Sequence, residues 1–357
     1  MGENLHFSSG GGLAVQKWPI DVMQMGAVLL GDNVVCDGFH RARRFRVQTH
    51  IHDDHMDEFD TSKGFQDIFL SEATHSLLKA EYDADLLVRQ NIFSLPAGAR
   101  HDVDGDSLIL VPSGHMLGAV QAVLETRSGT RLGYSGDFQW PMEDAVEVDY
   151  LVLDSTYGRP TSIRRYTQED AEVRFMELLH RTLKLGPVNI TAHRGTIERA
   201  LNVMAGNINV PILGSDRLCR EVGVYQEYGA NVAPVIFHKS PEGKAARASE
   251  RYVRLFSKGD GTPPELPKAS SITLSAFMTK PDDPILEYSD RAYGVALSNH
   301  ADFEGTLEYV RATKAKYVVT DNARGGGGAV ELAQEIMARL RIQARPSSNE
   351  GGYEWGN

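Results

Sequence analysis

The sequence predicts an α/β protein in which a strand-rich unit is divided by an alternating strand–helix segment. Two changes of pattern point to this. Short apolar runs cut by turns fill the opening third, and the period switches to helical spacing at Thr167. At 357 residues the chain is long enough for about two domains, and 41 % hydrophobic with 24 % charged residues is ordinary globular composition.

Taken in order, residues 13 to 48 show a hairpin pattern. Ala27, Val28, Leu29 and Leu30 lead into the turn residues Gly31, Asp32 and Asn33, and then into Val34, Val35 and Cys36. Further strands are predicted at Ser107–Val111, Ala119–Leu124, Arg131–Tyr134 and Tyr150–Leu153. From Thr167, Val173, Met176, Leu179 and Leu183 recur at helical spacing, with Thr167 and Asp170 placed to cap the start and Gly186–Pro187 to stop it. A strand at Val188–Thr191 and a helix from Ile197 to Met204 continue the alternation. Residues 258 to 268 read as a Gly/Pro-rich loop. A last amphipathic helix is predicted over Ala329 to Leu340, on Val330, Leu332, Ile336 and Leu340.

No run approaches the roughly 18 apolar residues of a membrane span. The opening residues carry neither a basic nor an apolar leader pattern. Two cysteines far apart, Cys36 and Cys219, build neither a disulfide framework nor a thiolate metal site, so the expected setting is reducing and cytoplasmic. Any metal must therefore be held by imidazole and carboxylate.

The densest chemical feature is His50-Ile51-His52-Asp53-Asp54-His55, three histidines and two aspartates in six positions, in a chain with only 12 histidines. In an extended segment His50 and His52 share a face, and a following turn can swing Asp54 and His55 onto a second centre. Such ligands suit zinc, or else manganese or iron, in a hydrolytic site.

This HxHxDH pattern resembles the metallo-β-lactamase superfamily, and later segments resemble its other motifs. Asp37-Gly38-Phe39 stands where that superfamily has an Asp that orients a ligand. His115, within Pro112–Ala119, is similar to the third motif, and Asp137, within Leu132–Phe138, to the fourth. The resemblance implies one cation on His50, His52 and His115, a second on Asp54 and His55, and Asp137 shared between them. Two such cations acidify a water towards neutral pH and so supply the nucleophile.

The stretch Leu151–Gly158, with Asp154-Ser155-Thr156-Tyr157, is similar to motif A of the β-CASP nucleases. Ala296–Phe303, with Ser298-Asn299-His300-Ala301-Asp302, is similar to their motif B. Ala192–Leu201 resembles a strand-to-helix stretch of the same group. The implied architecture is an αββα metallo-β-lactamase sandwich formed by residues 13–160 and 292–357, with a β-CASP domain inserted over 161–291. The implied function is metal-dependent hydrolysis of nucleic-acid phosphodiester bonds, with His300 as general acid beside Asp154.

Motif C departs from the group's usual His or Val. The strand Tyr317–Thr320 is followed by Asp321, which could complete the second cation site. The Asp of motif A and Asp37-Gly38-Phe39 are similar to Artemis-type DNA-repair nucleases, and the chain length to microbial ligase-associated exonucleases. His115-Met116-Leu117-Gly118-Ala119 is instead similar to RNA-processing and ligase-associated branches. The reading leans to a DNA exonuclease with a ligase or helicase partner; an RNA-processing endo- or exonuclease and a small-molecule metallohydrolase are the alternatives.

A formal charge of −11 argues at first against a polyanionic substrate. The charge is uneven, however. Residues 161–291 hold 18 Lys+Arg against 16 Asp+Glu, while the remainder holds 19 against 32. The inserted segment is thus the relatively basic part, as a phosphate-clamping domain would be. Ser298, Arg194, and Arg324 with Gly325 ahead of the last helix, are candidate phosphate contacts. Arg41, Arg43, Arg44 and Arg46 form a second basic run.

Overall fold

The computed structural model describes residues 18–81, 85–257, 260–261, 268–275, 280–324 and 327–348. Among these, three β-sheets with helices form a mixed α/β structure. The first sheet follows chain order: β1 Ile20–Val22, β2 Val28–Leu30, β3 Val34–Cys36, β4 Phe45–Val47, β5 Asp67–Ser71 and β6 Ile92–Leu95. Its first three strands are antiparallel, as the hairpin pattern predicts, and from β3 onward the pairing is parallel. Helices α1 Phe59–Phe65, α2 Glu72–Glu81 and α3 Asp85–Val88 occupy the connections.

The second sheet contains β7 Arg100–Val103, β8 Asp106–Pro112, β9 Val120–Glu125, β10 Arg131–Tyr134, β11 Tyr150–Leu153, β19 Tyr317–Thr320 and β20 Gln343–Pro346, side by side. Strands from both ends of the chain therefore meet in one sheet, through the β11–β19 pairing.

The third sheet is made of β12 Val188–Ala192, β13 Ile212–Gly214, β14 Ile236–Phe237, β15 Val253–Ser257, β16 Ser270–Leu274, β17 Ile285–Ser289 and β18 Ala292–Val295. It is parallel except at β17–β18. Helices α4 Gln168–Leu183, α5 Thr196–Met204, α6 Asp216–Glu227 and α7 Pro241–Ala248 belong to this stretch. Strand β18 pairs inside this sheet, so the sheet extends past residue 291, the end assigned to the insert from sequence.

Alternation along the strands explains the layers. Phe45, Val47 and Phe69 join Val28, Leu30, Leu108, Leu110, Ala122 and Leu132 in one apolar core between the first two sheets. Ile68 and Leu70, on the other face of β5, pack instead with Leu77 and Leu78 of α2. The far face of the second sheet buries Leu151, Leu153 and Val318 against Phe303, Leu307 and Val310 of α8 Phe303–Ala312, and Leu332 of α9 Ala329–Glu335. Helix α2 shares its core with Leu201 of α5 and Leu218 and Val222 of α6, which joins the third-sheet region to the rest.

Helix α4 begins with the predicted capping box, Thr167 accepting from the Asp170 amide while the Asp170 carboxylate accepts from that of Thr167. Its buried stripe differs from the predicted one: Ala171, Phe175, Leu178 and Leu179 face inward, and Val173 is exposed. The last helix follows the same pattern, with Leu332 and Ile336 buried, Val330 exposed, and residues Ile336–Leu340 in a wider π turn. Most of the predicted 258–268 loop lies outside the described residues. No described helix is long and apolar enough to cross a membrane.

Beside the apolar core that α2, α5 and α6 share lies a buried polar cluster. The Arg194 guanidinium lies 2.7 Å from Glu81 and 3.4 Å from Glu221. Burial, together with the neighbouring carboxyls, raises Glu198 to about 8 and Glu221 to about 9. Both pKa values stand above the unfolded value near 4.5, so the folded state keeps protons that the unfolded chain has released. Their contribution to stability is full below about pH 4.5 and is lost as pH rises through 8 to 9. The thermal midpoint is therefore expected to fall between pH 6 and 9, and Glu221→Gln to flatten that slope. An unchanged slope in the variant, followed by circular dichroism, would remove Glu221 as the cause.

Candidate metal centre

The histidine motif follows β4, whose two faces do different work. Phe45 and Val47 enter the core, while Arg46, on the opposite face and fully buried, reaches under the motif. It donates to the Gln48 side chain, the Ser62 hydroxyl and the carbonyls of Asp57 and His55. Gln48 in turn donates to the carbonyls of His50 and His55. Arg46 therefore belongs to the scaffold below the site; Arg44, by contrast, sits 3.0 Å from Asp104 at the surface. The basic run read from sequence is thus not one patch.

Asp137 lies at the centre of five imidazoles. Its carboxylate oxygens are 3.3 Å from His55 Nε2, 3.5 Å from His50 Nε2 and His115 Nε2, 3.7 Å from His300 Nε2 and 3.9 Å from His52 Nδ1. The turn that delivers it requires Gly136, at φ 54°, because a Cβ there would lie 2.7 Å from the Val120 carbonyl oxygen.

The outward nitrogen of each motif histidine has a fixed partner. His52 Nε2 donates to the Arg194 carbonyl at 3.2 Å and His115 Nδ1 to the Asn299 carbonyl at 3.1 Å. The Thr49 hydroxyl gives its proton to Asp37 at 2.5 Å, so it accepts from His50 Nδ1 at 3.0 Å. His55 Nδ1 donates to Asp37 at 2.7 Å. Since those partners accept, the protons sit outward; at His50, His52 and His115, whose partners are uncharged, the inward nitrogens carry lone pairs, while His55, between the carboxylates of Asp37 and Asp137, favours a second proton.

Two consequences follow. His52 Nδ1 and His115 Nε2 face each other at 3.2 Å, two lone pairs that need a cation between them. His50 Nε2 is buried and makes no hydrogen bond among the described residues. Both observations fit metal ligation, and outward acceptors of this kind orient metal-binding histidines. Three groups among the described residues bring ligand atoms close enough for an ion: His50, His52, His115 and Asp137; Asp37, His50 and His55; Asp137, Asp154 and His300. Asp37 is already saturated by Thr49 and His55, which makes it an orienting group rather than a free ligand.

The electrostatics match. Burial, reinforced by His55, lowers His50 to about 4, and burial with His300 beside it holds His115 well below the usual histidine value. Burial opposes charge on His55, yet Asp137 and Asp37 raise it to about 10. Burial alone would raise Asp137; His55 and His300 hold it well below the carboxylate range. Asp37 falls to about 2, its burial outweighed by His55 and Arg324.

His300 and Asp154 complete the group. Asp154, just past β11, accepts from the Thr156 amide and hydroxyl through one oxygen, which fixes the turn, and lies 3.3 Å from His300 Nδ1 through the other. The Ser298 hydroxyl accepts from the His300 amide, and the His300 carbonyl accepts from Arg164. Burial opposes the His300 proton, while Asp137 and Asp154 raise its pKa above the ordinary value.

His52, His115, Asp137 and His300 line a cavity of about 270 Å³ that also touches Tyr157, His193, Ser298 and Arg324. Asp54 stands at its edge, its carboxylate 3.9 Å from His55 Nε2 and largely exposed.

Two expectations meet different geometry. Asp321 is not in any of the three ligand groups: its carboxylate accepts from the amides of Ala323 and Arg324 and pairs with the Arg324 guanidinium at 3.0 Å. The Arg194 guanidinium is buried and occupied by Glu81, Glu221 and the Ile51 carbonyl, so its carbonyl, not its charge, serves the site. Gly325 lies outside the described residues. The sequence does not reveal the Asn299 and Arg194 carbonyls, because backbone acceptors leave no residue signature, nor the Thr49 hydroxyl, whose link to Asp37 depends on the fold. Arg46 and Gln48, polar residues alternating with Phe45 and Val47, did leave one.

Fold and site together define a mixed α/β protein with His/Asp groups able to bind metal ions. No protein-family model matches the chain. Over 135 residues, 37 % of its length, it is 30 % identical to an Acidianus ambivalens protein named "Uncharacterized protein in lig 3'region", of which it covers 96 %. The chain belongs to the family of that protein. It is also 23 % identical over 309 residues to a "Probable DNA ligase" of Opitutus terrae, and 27 % identical over 159 residues to "Transcription termination factor FttA" of Pyrococcus horikoshii. These matches take in 84 % and 40 % of this chain but only 28 % and 24 % of those relatives' lengths. A crystal structure of a protein of unknown function from Enterococcus faecalis matches with a TM-score of 0.58 at 12 % identity, over 85 % of this chain and 79 % of that one, a likeness of fold alone.

Proposed function

We propose that the chain is a metal-dependent nuclease that hydrolyses phosphodiester bonds, acting on DNA as an exonuclease. The observation that carries this reading is the convergence of four inward-facing imidazole nitrogens on Asp137, beside a separate His300–Asp154 pair. The architecture that goes with it is an αββα metallo-β-lactamase sandwich, built by the first two β-sheets, the second of which joins strands from both ends of the chain, with the third-sheet region as a β-CASP insert. The relatives named a DNA ligase and a transcription termination factor support a nucleic-acid substrate, and the ligase supports a ligase partner.

His50, His52, His115 and Asp137 would hold one divalent cation, and His55, Asp54 and Asp137 a second; an imidazole-rich donor set favours zinc over manganese. Such a pair would supply Lewis acidity and a water acidified towards neutral pH. The chain's own residues do the rest. Asp37 orients His55 directly and His50 through Thr49. His300 holds its proton in the field of Asp137 and Asp154, and Nε2, on the Asp137 side of the ring, delivers it to the departing oxygen. Asp154 fixes the ring through Nδ1. Ser298, on the cavity wall, faces the phosphate, whereas the Arg324 guanidinium expected there is taken up by Asp321 and the carbonyls of Asp37 and Asp54.

A panel of 5′- and 3′-labelled single- and double-stranded DNA and RNA tests this. Stepwise shortening of DNA, stopped by a chelator, is the expected outcome. Preferential cutting of RNA would redirect the substrate, and no cleavage of any oligonucleotide would overturn the reading.

A further inference from the structure

Asp321 and Arg324 form a second structure behind the metal centre. The Arg324 guanidinium is largely buried and donates in three directions: Nε to the Asp54 carbonyl at 2.9 Å, Nη2 to the Asp37 carbonyl at 2.9 Å, and Nη1 to the Asp321 carboxylate at 3.0 Å. Asp321 is itself held by the amides of Ala323 and Arg324. The turn at Gly26 closes over the group, since a Cβ there would lie 2.9 Å from Nη2. Planar, with its donors in a fixed fork, a guanidinium can satisfy three separated acceptors that a single ammonium cannot.

The two carbonyls it ties belong to particular residues. Asp54 carries a carboxylate at the edge of the cavity, and Asp37 holds His55 through Nδ1 at 2.7 Å. The backbone at Asp37 sits at φ 52°, in the left-handed region, where an Asp persists only if its surroundings hold it. His52 and His115, by contrast, are oriented by the carbonyls of Arg194 and Asn299, and His50 by Thr49. Arg324 donates to Asp54, Asp37 and Asp321 and not to the Arg194 or Asn299 carbonyl, while Thr49 is linked to it only indirectly, through Asp37.

We infer that Arg324, anchored by Asp321, is a positioning residue weighted to one half of the metal centre: it sets Asp54 and, through Asp37, His55, and so governs binding of the second cation more than the first, which it reaches only through Asp37, Thr49 and His50. This rests on the two-cation reading above. It also gives Asp321 a role at the site without ligation.

The test is titration of chelator-treated protein with Co²⁺, read by its ligand-field absorption, in wild type, Arg324→Ala, Arg324→Lys and Asp321→Asn. Wild type is expected to take up two equivalents. Each variant is expected to bind the second about 10–100-fold more weakly, the scale for losing a group that orients a metal ligand, and to lose clearly less at the first, where His52 and His115 keep their own carbonyl supports. Arg324→Lys keeps the buried charge and carries the test if the alanine variant does not fold. Two equivalents at wild-type affinity in Arg324→Lys and Asp321→Asn would overturn the inference, as would equal weakening of both. A wild-type protein that takes up only one equivalent would instead remove the two-cation reading on which it stands.

Discussion

Asp137→Asn is expected to abolish cleavage and to lower bound metal from about two ions per chain to one or fewer. The substitution keeps the shape and removes only the charge. That charge faces His50, His52, His55, His115 and His300 within 3.9 Å, and no other carboxylate among the described residues meets so many of them. The protonated state of His55 depends on it as well, since Asp137 is the foremost influence opposing the burial penalty. Elemental analysis of the purified variant beside an oligonucleotide assay checks both parts. Full turnover with full metal content would sink the shared-ligand assignment.

His300→Ala is expected to behave differently, with metal content kept and kcat lowered about 10²–10⁴-fold, the range for a lost general acid. The reason is placement. His300 reaches Asp154 through one nitrogen and the cavity side through the other, and its outward partner is a carboxylate rather than the carbonyls and hydroxyl that leave neutral rings at His50, His52 and His115. A carboxylate partner favours the charged ring. A diester with a nitrophenolate leaving group needs no proton, so the variant should hydrolyse it at close to the wild-type rate. Equal losses on both substrates would show that His300 holds metal or structure instead.

Strands β8 to β11 and β19 of the second sheet, the hairpin, α4 and α5 were legible in the sequence because each depends on local period and capping, whereas the edge strands β7 and β20 of that sheet were not read. The inward stripe of α4 was only partly so. Val173 fits the spacing as well as Phe175 does, and what decides between them is the third sheet lying on one side, a long-range fact. Strand β18 shows the same limit: Ala292–Val295 pairs with β16 and β17, and no local pattern says which sheet a short strand joins.

At the site, the side chains that converge were visible from residue type and spacing, since clustered histidines are rare in a chain with few of them. Asp321 and Arg194 met other partners for one shared reason. An isolated acidic or basic residue at a strand end looks alike whether it faces a cation, a phosphate or its own counter-charge. Arg324 is three residues beyond Asp321 and captures it; Glu81 and Glu221, distant in sequence, capture Arg194.

The most direct measurement is the metal content of the purified chain, taken before and after chelation, together with its action on end-labelled DNA in the same samples. The Asp137-centred arrangement predicts about two divalent ions per chain, loss of cleavage on their removal and recovery when zinc or manganese is restored. Cleavage that persists undiminished in the metal-free protein would contradict it.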